Sequence, residues 1–106
     1  MSLRYTRQKL YSAVRTLASS NESIQDRLYF ASSDLMTLHQ PDDFPEELRE
    51  EFNEIHQKLT HEGSFEATTT KMSEEEARKI AEKIVDLYDE IAQKLGAMES
   101  QTILSV

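Results

Sequence analysis

Cysteine and tryptophan are absent from this chain, and glycine and proline occur only twice each in 106 residues. Without cysteine there is no disulfide scaffold, no thiolate metal site and no thiol nucleophile. With so little glycine and proline, the many tight turns of an all-β chain lack their usual residues, and long helices are favoured. No apolar run approaches the roughly 18 residues that a membrane-spanning helix needs. The opening Met1-Ser2-Leu3-Arg4-Tyr5 lacks the apolar stretch of a signal peptide. The expected address is therefore cytoplasmic, with no membrane partner. A Gly-rich phosphate loop and a nucleophile elbow are missing too, so the chain gives no positive enzyme signal.

Charged residues make up 30% of the chain and apolar ones 38%, which suits a globular domain with a heavily charged surface rather than a disordered segment. The length suits one domain around one core. The net charge of −8 is uneven: residues 1–40 carry +2, leaving −10 for the rest. An acidic chain is poorly suited to nucleic acid, whose binding is dominated by phosphate neutralisation.

Apolar residues recur at steps of three and four in four segments. The first, about 3–19, has Leu3, Leu10, Val14, Leu17 and Ala18 on one stripe, with Ser2 as a candidate cap and Arg7 intruding on the stripe. The second, about 22–38, carries Ile24, Leu28, Ala31, Leu35 and Leu38, with caps available in Ser19-Ser20-Asn21 and a stop at Pro41. The third, about 45–61, carries Phe44, Leu48, Phe52, Ile55 and Leu59, with Asp43 as candidate cap and Gly63 as terminator. The fourth, about 74–95, opens with the capping-box pattern Ser73-Glu74-Glu75-Glu76. It continues through Ala77, Ile80, Ile84, Leu87, Ile91 and Leu95 to Gly96. Thr68-Thr69-Thr70 disfavours more than one helical turn between the third and fourth segments, and residues 97–106 read as a flexible tail. The expected architecture is all-α, an up-down-up-down four-helix bundle forming a single domain.

The sharpest chemical motif is Glu46-Glu47-Leu48-Arg49-Glu50, which matches the EExxE pattern of all-helical, magnesium-dependent nucleotide pyrophosphohydrolases. Its expected counterpart, ExxD, is represented only by Asp86-Leu87-Tyr88-Asp89, which begins with the wrong residue and lies too far downstream. At about 100° per residue, Glu46 and Glu50 point away from the Leu48/Phe52/Ile55 seam, and Asp86 and Asp89 point away from that of Ile84 and Leu87. Ligands of a metal in a bundle core must point inward. Neither His56 nor His61 has a glutamate three residues before it, as a di-iron bundle needs. No catalytic residue, metal or cofactor is therefore expected, and such an enzyme stays the alternative reading.

Two surface features remain. Arg4, Arg7, Lys9 and Arg15 form a candidate basic patch on an acid-free first helix that also carries Tyr5 and Tyr11. It could serve a regulator that touches nucleic acid, but packing against the acidic third helix accounts for it more simply. Off-seam Tyr29, Phe30, Met36 and Val85 are candidate interface residues, because aromatics and Met on adjacent turns resemble an interface core. The favoured reading is a non-enzymatic protein–protein interaction or accessory module, a homodimer or a binder of another protein.

The stretch Asp43-Phe44-Pro45-Glu46-Glu47-Leu48-Arg49, with Leu59-Thr60, Glu62-Gly63-Ser64, Met72 and Ile80-Ala81-Glu82-Lys83-Ile84, resembles a set of small bacterial helical proteins of unknown function. That resemblance implies a bacterial cytosolic origin and brings no activity, cofactor or ligand with it.

Overall fold

A computed structural model of the chain describes residues 3–39 and 42–104, the last five as backbone. Five helices follow one another: α1 (Leu3–Ser19), α2 (Ile24–Leu35), α3 (Glu46–Thr60), α4 (Phe65–Lys71) and α5 (Glu74–Leu104). The described chain is all-helical. Ser2, Pro41 and residues 105–106, expected as cap, stop and tail, lie outside the described residues.

Hydrophobic periodicity accounts for the buried side of each long helix. Leu48, Phe52, Ile55 and Leu59 of α3 are buried, as are Ala77, Ile80, Ile84, Leu87, Ile91 and Leu95 of α5. Phe44, just before α3, is fully enclosed and stacks on Phe52 with ring centroids 4.3 Å apart. On α1 the buried line runs through Thr6, Leu10, Ala13 and Leu17, so Thr6 occupies the place in the stripe and Arg7 is exposed. A hydroxyl can enter the core where an arginine cannot, because one hydrogen bond satisfies it; Thr6 donates to the Asp43 carbonyl at 2.6 Å.

Caps and hydroxyls set the ends. The N-cap of α2 is Ser23, whose hydroxyl accepts from the Asp26 N–H at 3.1 Å, so this helix starts later than the earlier serines suggested. It also ends earlier, at Leu35. Ser32, Ser33 and Thr37 donate to the carbonyls of Tyr29, Phe30 and Asp34, the local competition that weakens helical ladders. Asp43 does not cap α3. Its carboxylate accepts from the His39 N–H at 2.7 Å, and Pro45 takes the cap position without a side-chain bond. Ser73 caps α5 through the Glu76 N–H.

Two corrections have clear causes. Residues 65–71 form a seven-residue helix, where the threonine run had argued against more than one turn. Thr68, Thr69 and Thr70 each donate their hydroxyl back to a carbonyl of the preceding turn, and Thr68 and Thr69 are buried. Burial outweighs the small helix penalty of β-branched residues. The other correction is that α5 runs through Gly96 to Leu104. Beyond the glycine, Ala97, Met98 and Glu99 are good helix formers, and Glu99 is tied to Arg4 of α1 at 2.9 Å.

Helix α5 is the spine. It packs against α1, α2 and α3, whereas α4 packs against α2 and α3. Tyr11 beside Tyr88 and Arg4 beside Glu99 make α1 antiparallel to α5. Glu47–Lys94 and Glu54–Lys83 make α3 antiparallel to it as well. An up-down-up-down square would pair α2 closely with α3 and leave α2 and α5 diagonal. Here α2 packs closely on α5, while α2 and α3 are not a closely packed pair among the described residues.

Three substitutions check this description. Ile84 is fully buried at the middle of the spine, so Ile84→Ala should cost about 3 kcal/mol in chemical denaturation. A Cβ at Gly96 would meet nothing within 4 Å, so Gly96→Ala should stabilise by about 0.5–1 kcal/mol. Gly63, at φ +100°, should lose about 1 kcal/mol on the same change.

Candidate functional site

Tyr29, Phe30 and Met36 lie on the outward side of α2, 38%, 49% and 59% exposed. The Tyr29 and Phe30 rings touch with centroids 5.8 Å apart. On the inward side, Leu28, Ala31, Ser32 and Leu35 are buried. Arg27 binds the Leu17 carbonyl of α1, and Gln25 reaches the Met72 carbonyl beyond α4. At about 100° per residue, Tyr29 and Met36 follow Gln25 and buried Ser32 on the border of α2 nearer α4, while Phe30 points about 100° further out; all three keep exposed surface.

Val85 does not join them. It is 42% exposed and lines a separate groove of about 330 Å³ with Val14, Ala18 and Ala81, reached also by Ile24 at the start of α2. The four candidate interface residues thus divide between two surfaces.

Among the described residues α1 packs closely on α2 and α5 and not on α3, so its basic residues do not have the acidic third helix as their cover. Arg4 pairs with Glu99 at the end of α5. Lys9 sits 5.7 Å above the Tyr5 ring and Arg15 6.0 Å from that of Tyr11, each cation one turn beyond its aromatic. At about 100° per residue, Lys9 is about 160° round the helix from Arg7 and about 120° from Arg15. The expected basic patch is therefore split, with Lys9 on one flank and Arg4, Arg7 and Arg15 on the flank nearer α5.

Between α3 and α5 runs a ladder of charged groups. Glu47 meets Lys94 at 2.6 Å, and Glu54 meets Lys83 at 2.8 Å and Lys58 at 3.2 Å. Hydrogen bonds from those lysines hold the Glu47 and Glu54 carboxyls below the usual range. The bond to Glu54 raises Lys83. Glu51, on the rung between, is pushed up to about 7. Loss of solvent is the main cause, followed by a hydrogen bond with Glu90 and repulsion from Glu90 and Asp86, with Lys83 opposing. Below about pH 7, Glu51 therefore keeps its proton and can donate it in the hydrogen bond with Glu90 across the helix interface. Sequence reasoning missed the pairing of Glu47, Glu51 and Glu54 with Lys94, Glu90 and Lys83. The steps of three and four at 47, 51, 54 and at 83, 86, 90, 94 were the available signal.

Among the described residues, no group of three or more histidine, aspartate or glutamate side chains is placed to hold a metal ion. His56 is wedged between the rings of Phe52 and Phe65, and His61 faces Glu62 at 3.5 Å. His61 also lines a groove of about 380 Å³ floored by Met72 and Ile80 and rimmed by Glu54, Lys58, Glu76 and Lys79. No family model matches the chain, and no curated protein or solved structure matches it either.

The Glu51 rung has a pH signature. Its carboxyl is raised from 4.5 unfolded to about 7 folded, so the folded state holds the extra proton between those values. Stability from this group is complete below pH 4.5, falls as pH rises towards 7, and stays low above it. Glu51→Gln keeps a donor to Glu90 and removes the charge. It should stabilise the protein at pH 8 by about 1 kcal/mol, after allowing for solvent screening, and leave stability unchanged at pH 4. Thermal or chemical denaturation at the two pH values reads the difference.

Proposed function

We propose that this protein is a small, non-enzymatic helical interaction module, an accessory or regulatory protein that works in the cytoplasm. Its long helices act as a bundle of four, clipped by α4, whose purpose is to present rigid apolar surfaces to other proteins. The observation that carries this reading is the exposure of Tyr29 and Phe30 on α2 and of Met36 at its C-cap. Two touching aromatic rings with a methionine one to two turns away have the composition of an interface core. Phe30 and Met36 are already about half buried, so covering what remains of them would contribute about 1 kcal/mol each. None of the described helices is long and apolar enough to cross a membrane.

A photoreactive phenylalanine analogue placed at Phe30 or Met36 tests the reading in living cells. One discrete protein adduct is expected from each position, and none from the exposed Glu66 on α4. No adduct from either α2 position would overturn the assignment of that surface.

A further inference from the structure

The seam between α1 and α5 has a charge pattern that its own chain does not complete. Along its centre lie Val14, Ala18, Val85, Tyr11 and Tyr88, with Tyr11 and Tyr88 6.0 Å apart. Tyr11 and Val85 are among the exposed large hydrophobic residues. The α1 side of this apolar line carries Arg7 and Arg15, and neither meets a carboxylate among the described residues. The α5 side carries Glu82, Asp86 and Asp89, all exposed. Arg78 at the end of the groove is already bound to Glu74 at 2.6 Å.

We propose that two copies of this chain join along the α1–α5 seam, α1 of each lying over α5 of the other. The proposal rests on reading the protein as an interaction module and names the partner of the Val85 surface. A two-fold axis in the contact plane, parallel to the helices, exchanges the two sides of the seam at constant height. Because α1 and α5 are antiparallel, with Tyr11 level with Tyr88 and Arg4 level with Glu99, Arg15 stands level with Val85 and Asp86. Under that axis Arg15 faces Glu82 and Asp86 of the second copy, and the apolar centre lines meet. The other in-plane axis, across the helices, sets α1 on α1 and α5 on α5, like charge against like. Only the parallel axis is self-complementary.

The area sets the strength. Helix α1 has 17 residues, which gives about 25 Å of length, and two adjacent helices are about 20 Å wide. The strip covers about 500 Å² per copy and about 1,000 Å² in all, the lower limit of specific interfaces. The dimer is therefore a reversible one, weakened by salt. Tyr29, Phe30 and Met36 stay uncovered in it and free for a different protein.

Sedimentation equilibrium of the full chain from about 1 to about 200 µM, the range that brackets such an affinity, tests this. The wild type should pass from monomer to dimer. Arg15→Glu and Glu82→Arg, each checked for helicity by circular dichroism, should stay monomeric over the same range. An equimolar mixture of the two variants should dimerise again, because both cross-copy contacts are then between opposite charges. A wild type that is monomeric throughout, a dimer that survives both single substitutions, or a mixture that does not reassociate would each overturn the proposal. Phe30→Glu is run alongside. A dimer lost by that change and kept by the charge reversals would sink the seam while leaving the interaction-module reading intact.

Discussion

Everything in this molecule depends on the apolar stripe of α5. Ala77, Ile80, Ile84, Leu87, Ile91 and Leu95 are all buried, and they recur at steps of three and four, so one face of a 31-residue helix meets the core. Three other helices pack on that face or its borders. The core is one continuous cluster that includes Leu10, Leu28, Phe44 and Leu59 from the rest of the chain. Interior polar groups do not compete with it: the buried Thr6, Ser32, Thr68 and Thr69 all donate to backbone carbonyls. Hydroxyl groups that are satisfied in this way cost little to bury.

The two borders of the α5 stripe are used differently. Towards α3 they carry Lys83, Glu90 and Lys94, which meet Glu54, Glu51 and Glu47. The outer rungs attract and burial beside Glu90 raises Glu51 on the middle rung, so attachment of α3 depends on both burial and pH. Towards α1 the border carries Ala81, Val85 and Tyr88, and contact is made by small and aromatic side chains with one terminal ion pair. That side leaves unpaired charge and uncovered apolar surface, the combination that a second protein surface can satisfy. Exposed ion pairs such as those of Arg78 and Lys79 with the preceding turn are worth a few tenths of a kcal/mol each and decide neither fold nor function.

Most of the helical content was legible in the chain because the apolar period is local information. The seam of α3 and that of α5 could be read residue by residue, and Tyr29, Phe30 and Met36 stood out because they broke the period of α2. What could not be read was how helices meet. The neighbour of α2 is α5 rather than α3, and no local pattern distinguishes the two packings. The same holds for Glu90, which matters only because an antiparallel register sets it beside Glu51. Arg4, Arg7, Lys9 and Arg15 looked like one patch in sequence, and rotation of about 100° per residue divides them. The α4 turn and the continuation through Gly96 were missed for another reason. Propensity argued against both: burial of the threonines outweighed it in α4, and past Gly96 the helix formers Ala97, Met98 and Glu99 carry the helix on.

A spine with unequal partners makes a definite statement about local stability. Helices α1 and α2 pack on each other as well as on α5, whereas α3 is held only by α5 and α4 among its closely packed neighbours. Native-state hydrogen exchange, read amide by amide, tests this most directly. The slowest amides should lie in α5 between Ile80 and Ile91 and in the facing turns of α1 and α2, with α3 opening at a lower free energy. If α3 exchanged as slowly as the middle of α5, or if Ile84 and Leu87 opened first, α5 would not be the element on which the fold is built.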